Sequence, residues 1–310
     1  MIVFISVTGI LLIIIILNST SFLYHEDSGY TLPDESRLMS RETGSFTVEK
    51  GSEKAILFVH GFPSTPAVYR WPAKVASQAG WDVSAPLLPG FGTTYQDLLE
   101  TNFSQWYAYL KDVYLELRKK YSTLAVVGTS MGGALTLKLA EEFSSSPSAA
   151  PDAVITIAAP VFINSFLRYG ILKNPLYYMV RTIGWFIKSF NPADVVEGSG
   201  NNIDGRGRWR GYSGNYPRQT YSLKLGLKQI NRHLGRITVP CLLIQDKKDR
   251  TVPSENIYHI SRRVQSRILE MKLTNIGSIN HEHHSLLIYD STRQAVIDRI
   301  LLFLDTHSSV

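Results

Sequence analysis

The sequence predicts an α/β fold: a mostly parallel sheet with helices on both faces and a helical cap inserted into it. Three observations lead there. Short apolar runs bounded by turn-forming residues recur between residues 55 and 244. Longer runs of helical character separate them, and one interval, 161–236, breaks the rhythm. Strands that alternate with helices imply parallel pairing, because a parallel crossover needs a connection long enough to hold a helix.

The chain of 310 residues opens on an apolar run, 2–17 (IVFISVTGILLIIIIL), without a charged side chain. Sixteen residues are short for a membrane span, but 18–23 (NSTSFL) lengthen it, and no A-x-A-like cleavage site or lysine-rich start marks a removable signal. Residues 1–23 are therefore expected to form an uncleaved membrane anchor in contact with lipid. The first charges beyond it are mostly acidic (Glu26, Asp27, Asp34, Glu35), which places the body on the outer side of the membrane.

After an irregular stretch to about residue 43, the strands read as 55–59 (AILFV), 82–85 (DVSA), 124–127 (LAVV), 153–157 (AVITI) and 241–244 (CLLI). Most are continuously apolar, as strands covered on both faces must be. The helices between and after them are 67–78, 103–120, 132–142, 254–264 and 292–303. The expected organisation is a core of two parts, 44–160 and 237–310, with the cap, 161–236, between them. The cap reads as aromatic helical stretches followed by a glycine-rich segment without strand alternation. Cys241 is the single cysteine, so no intrachain disulfide forms, and a small apolar core thiol is its expected role.

The formal charge of +6 is unevenly spread. The cap holds twelve Lys and Arg against Asp194, Glu197 and Asp204, an excess of +9. Its run RGRWRGY sets Arg206, Arg208 and Arg210 around Trp209. No nucleic-acid-binding motif accompanies these arginines, so nucleic acid is not an expected partner, and a solvated face or an anionic membrane surface is the reading of the charge.

Gly128-Thr129-Ser130-Met131-Gly132 is a G-x-S-x-G pentapeptide with a strand before it and a helix after it. That context makes Ser130 a candidate nucleophile on a sharp turn whose flanking glycines leave room for close packing. A serine hydroxyl needs a base, a group to orient the base, and donors for the developing oxyanion. The His60-Gly61-Phe62 turn after the first strand can aim the Phe62 N–H into the site, and Met131 at the helix start offers a second. His60, a possible rival base, reads as turn-stabilising. Of the two aspartates after the 241–244 strand, Asp249 precedes Val252-Pro253 and reaches across the strand ends, whereas Asp246 reads as a loop cap. The base comes from Asn280-His281-Glu282-His283-His284, where three histidines compete. A zinc site is not expected there, because HEHH lacks the i, i+4 spacing of H-E-x-x-H.

With LFVHGF, APLLPGFGT, VVGTSMGG, QDKKDRTVP and HSLLIYD on the page, the chain resembles the α/β-hydrolase superfamily, and within it the carboxylesterase and monoacylglycerol-lipase-like serine hydrolases, from about residue 54 to 304. The resemblance implies an α/β-hydrolase fold, an oxyanion hole from Phe62 and Met131, Asp249 as the acid and His284 as the base. It implies ester hydrolysis through an acyl-enzyme, with no cofactor and a small lipophilic ester as substrate. The chain departs from the pattern in the long approach 278–284 and in Phe91, where relatives often carry histidine. The same constellation serves acyltransferases and proline-type peptidases, and a non-catalytic binding protein can keep the fold.

Overall fold

The structure is a computed structural model and describes residues 2–19, 25–146, 148–163, 175–196, 203–277 and 283–307. In chain order the elements are α1 (Ile2–Ser19), β1 (Phe46–Val48), β2 (Lys54–Val59), α2 (Arg70–Gln78), β3 (Asp82–Ala85), α3 (Tyr95–Leu99), α4 (Phe103–Lys120), β4 (Thr123–Thr129), α5 (Met131–Phe143) and β5 (Ala153–Ile157). They continue with α6 (Val180–Phe186), β6 (Phe190–Val195), β7 (Gly211–Asn215), α7 (Pro217–His233), β8 (Cys241–Asp246), α8 (Glu255–Ser261), β9 (Leu269–Thr274) and α9 (Arg293–His307).

Seven strands form one sheet in the order β1-β3-β2-β4-β5-β8-β9, parallel throughout except for β1, which runs antiparallel to β3. The five strands read from sequence are its centre. Alternate residues divide between two apolar layers: Ala55, Leu57 and Val59 of β2 face one, Ile56 and Phe58 the other. The first layer is covered by α4, α5, α7 and α8 through Trp106, Leu135, Leu227 and Ile257. The second is covered by α2 and α9 through Ala73, Ala76, Ile297 and Phe303. A two-residue period split between two covered faces is why most of these strands are continuously apolar. Cys241 lies within the first layer, and burial pushes its thiol up to about 12, as a core thiol requires.

The edges and the excursion between β5 and β8 depart from the reading. β1 has only three residues, and β9 is a half-exposed edge carrying Glu270 and Lys272. The excursion contains α6 and α7 and also a two-stranded antiparallel ribbon, β6 with β7, whose Pro192, Gly211 and Gly214 hide it from a pattern search.

The opening apolar run does form a helix, α1, but among the described residues no helix is long and apolar enough to cross a membrane. Its 18 residues span about 27 Å at the usual rise, below the roughly 30 Å of a hydrocarbon core. Its last turn is committed to the body: Asn18 is buried, and its Oδ1 accepts the N–H groups of Arg181 (2.9 Å) and Thr182 (3.2 Å) in the first turn of α6. Arg181 in turn donates to the Leu17 carbonyl at 2.6 Å. Residues 20–23, which were to lengthen the span, lie outside the described residues. The expected membrane anchor, its lipid contact and the extracytoplasmic placement are corrected accordingly.

At the end of β2, His60 is fully buried and stitches two loops together. Leu88 N–H donates to its Nε2 at 3.1 Å, so the ring proton sits on Nδ1 and is donated to the Gly61 carbonyl at 3.1 Å. Burial lowers its pKa from the ordinary 6.5 to about 4. The unfolded chain therefore binds a proton that the folded chain refuses between those values, and stability falls as the pH falls through that window. This one group is expected to remove about 1.4 kcal/mol per pH unit there. Guanidinium unfolding of the wild type and of His60→Gln between pH 7 and 4.5 checks it: the variant should show the smaller loss on acidification, and equal slopes would refute the assignment.

Candidate active site

Ser130 stands alone between β4 and α5. Its backbone adopts φ 56°, ψ −124°, outside the regions open to a residue with a Cβ, at a cost of about 1–3 kcal/mol that its surroundings must offset. They do so with hydrogen bonds and with missing side chains. Ser130 N–H donates to the Ile157 carbonyl (2.8 Å), and the Ser130 carbonyl accepts from Ala134 N–H (3.1 Å). A Cβ on Gly132 would strike the Val59 carbonyl, and one on Gly128 would strike the Gly132 carbonyl and Thr136. The tight crossing of α5 over β2 and β4 is what aims the serine outward. Tyr69 braces the strand below: its hydroxyl donates to Val59 O (2.7 Å) and accepts from Thr129 N–H (3.1 Å).

Asp249, on the loop after β8, is buried and faces His284. Its Oδ1 accepts the N–H groups of Thr251 (2.8 Å) and Val252 (2.9 Å), which fixes the carboxylate and leaves Oδ2 2.9 Å from His284 Nδ1. Asp246 is a different kind of residue, a fully buried loop cap that accepts Lys248 N–H (2.8 Å), Thr274 hydroxyl (2.7 Å) and Ile276 N–H (3.0 Å). His283 is buried, with Nδ1 3.0 Å from Asp246 Oδ1. His281 lies outside the described residues. Of the two described histidines, His284 is thus the one brought to Asp249.

Gly61, the neighbour of Phe62, comes close to the serine, and Met131 follows the serine in the chain. A Cβ on Gly61 would stand 2.9 Å from Ser130 Cβ, so only glycine lets this turn approach. The Phe62 ring is anchored away from the site, 6.1 Å from the Phe91 ring and 5.8 Å from Trp106. Phe91, the departure noted from sequence, is a buried member of that aromatic cluster and meets His60 edge-on at 5.0 Å. Met131 opens α5, and the first N–H groups of a helix have no partner within it.

A cavity of about 40 Å³ lies over the serine, lined by Gly61, Ser130, His284, Leu287 and Ile288 and by a residue from the excursion, Trp209. A larger hollow of 340 Å³ between Lys272 and Arg299 is lined by neither histidine nor carboxylate. Trp209 was not legible as a site residue. Its segment is stapled on both sides of the serine. Arg208 makes a two-pronged ion pair with Asp290 (2.9 and 3.0 Å), and Asp204 Oδ1 accepts Ser291 N–H (2.7 Å). On the other flank Tyr212 N–H donates to Pro63 O (2.9 Å), and Thr65 hydroxyl donates to Arg210 O (3.2 Å). The arginines around Trp209 are therefore, in part, structural clamps. Among the described residues no group of three His, Cys, Asp or Glu side chains is placed to hold a metal.

Comparison with known proteins agrees with this architecture. A thermostable monoacylglycerol lipase of Bacillus sp. (strain H-257) is 31% identical over 255 residues, covering 82% of this chain and 91% of that protein. Among solved structures, one of the metagenome-derived lipolytic enzymes LipS and LipT superposes with a TM-score of 0.70 at 22% identity, covering 86% of this chain and 99% of its own. A soluble variant of monoglyceride lipase from Saccharomyces cerevisiae, in complex with a substrate analog, gives a TM-score of 0.65 at 17% identity, covering 93% and 99%. The model of the alpha/beta hydrolase family matches residues 56–299, and with the sheet order and the strained serine elbow already in place, the chain belongs to that family.

Proposed function

We propose that this chain is a serine ester hydrolase that cleaves small lipophilic monoesters, monoacylglycerols among them, through an acyl-enzyme. The observation that carries the reading is a strained Ser130 that opens, together with a His284 held on Asp249, into one mostly apolar cavity. Ser130 Oγ attacks the ester carbonyl while His284 takes its proton. Asp249 holds the Nδ1 proton and favours the imidazolium that forms. The Phe62 and Met131 N–H groups stabilise the tetrahedral oxyanion. His284 then returns the proton to the leaving alkoxide, and water repeats the sequence to release the acid and restore Ser130. The excursion 161–236 acts as the cap, with Trp209 closing the cavity. The names of the Bacillus and yeast relatives support the choice of a monoacylglycerol-type substrate.

Ser130→Ala removes the attacking oxygen and little volume. Its kcat/KM on p-nitrophenyl butyrate should drop by at least about 10³-fold, with folding unchanged and fluorophosphonate labelling lost. A purified variant that keeps a tenth of the wild-type rate would exclude Ser130 as nucleophile.

The small cavity sets a size limit. Room for roughly three waters accommodates a short acyl chain, and each buried methylene adds about 0.8 kcal/mol, or about fourfold in kcat/KM. Over p-nitrophenyl esters from acetate to palmitate, kcat/KM should climb through the short chains and then fall. Trp209→Ala should move that maximum to longer chains. A flat wild-type profile, or a maximum unmoved by the substitution, would count against the cavity as the acyl site.

A further inference from the structure

Two consecutive histidines, His283 and His284, meet two carboxylates three residues apart, Asp246 and Asp249. Of the second pair, His284 lines the cavity. The first is sealed in the protein, with His283 2% and Asp246 0% exposed. We propose that Asp246 and His283 form a positioning pair that sets the distance and angle between His284 and Asp249. The proposal rests on the reading of His284 as the base.

The connectivity of one oxygen atom carries the argument. Asp246 Oδ1 receives Lys248 N–H at 2.8 Å and lies 3.0 Å from His283 Nδ1. Lys248 immediately precedes Asp249, and His283 immediately precedes His284. Lys248 is thus hydrogen-bonded to this atom, and the His283 ring is held against the same atom at ion-pair distance, without a well-aligned hydrogen bond. The other oxygen, Oδ2, takes Thr274 hydroxyl at 2.7 Å and Ile276 N–H at 3.0 Å, so this reference point is tied to the ends of both β8 and β9. Asp249 N–H also donates to the Asp246 carbonyl, at 3.3 Å. Asp246 is itself the last residue of β8, in register with Thr274 of β9. The carboxylate therefore carries the rigidity of the sheet out to two loops that have to meet.

His283 also has a strained backbone. Its φ of 57° lies in the left-handed region, where a residue with a Cβ is strained. Burial also removes the solvent screening that weakens exposed ion pairs, and deleting one partner of a buried pair leaves the other uncompensated. A displacement near 1 Å between catalytic groups lowers rate about 10²-fold, so loss of the tether is expected to appear in kcat rather than in substrate binding.

The test uses the full chain with p-nitrophenyl butyrate, measuring kcat, KM, the pH profile and the thermal midpoint. His283→Ala should lower kcat about 30–100-fold with KM within about threefold, and should displace the acidic limb of kcat/KM. His283→Asn places an amide nitrogen close to the position of Nδ1 and tolerates left-handed backbone, and should recover kcat to within about threefold of wild type. If His283→Ala does not fold, His283→Gln, which fills the space but displaces the donor, is read in its place. Unchanged kcat, a rise in KM alone, or failure of Asn to restore kcat where it restores the thermal midpoint would overturn the positioning role. His284→Ala, run in parallel, separates the two ideas: if it stays active the base reading fails and takes this proposal with it, whereas an inactive His284→Ala beside a fully active His283→Ala overturns the positioning pair alone.

Discussion

The approach of α5 to the carbonyl ends of β2 and β4 is the constraint on which the rest of the molecule depends. It is possible only because Gly128, Gly132 and Gly61 present no side chain where a Cβ would meet the backbone or Ser130. The chain must reverse from strand to helix within one residue, and Ser130 takes the strained φ of 56° as a result. The sheet beneath explains why the strain is tolerated. β2, β4 and β5 are buried along nearly their whole length, so the serine turn sits on the most cooperative part of the fold and cannot relax without opening it. Strain of about 1–3 kcal/mol is small against the apolar area those strands bury.

From that fixed point the remaining groups arrive from the same edge of the sheet. Parallel strands all deliver their following loops to one end, so β2 brings Gly61 and Phe62, β4 brings Ser130, and β8 brings Asp249 to a single crevice. His284 comes from farther along, beyond β9, and is held by its side-chain bond to Asp249. Buried carboxylates gather at the β8 end. Asp249 is oriented by two backbone N–H groups and Asp246 anchors two strand ends, so neither is left buried without partners.

The residues that could be read in advance are those whose identity is set by local sterics or by a short loop. Gly128 and Gly132 announce the serine turn because no other side chain fits, and Asp249 announces itself because the N–H groups it accepts lie two and three residues ahead. Most of the five central strands were legible because both their faces are apolar. β1 and β9 were not, since a three-residue edge and a half-exposed one carry little pattern, and β6 with β7 hides behind proline and glycine. The choice among His281, His283 and His284 cannot be made from residue type, because the difference between His283 and His284 is which carboxylate each one meets. The opening run folds as a helix, but its destination depends on Asn18 meeting α6, more than 160 residues away, which no local pattern records.

Charge in the excursion makes the same point in energetic terms. A cluster of arginines around a tryptophan reads as a solvated face or one for an anionic membrane surface when only sequence spacing is considered. In the fold, Arg208 is spent on Asp290 and on the Ile288 carbonyl, while the Arg210 backbone is held by Thr65. These contacts span the serine: one set lies on the loop after His284 and the other on the loop after Gly61. An ion pair that is roughly half exposed contributes little to global stability. Its value here is geometric, because the two-pronged guanidinium fixes direction as well as distance and keeps the Trp209 ring over a cavity scarcely larger than a short acyl group. Excursion and core are thereby coupled on either side of Ser130, and the Arg208 clamp also touches the loop that follows His284.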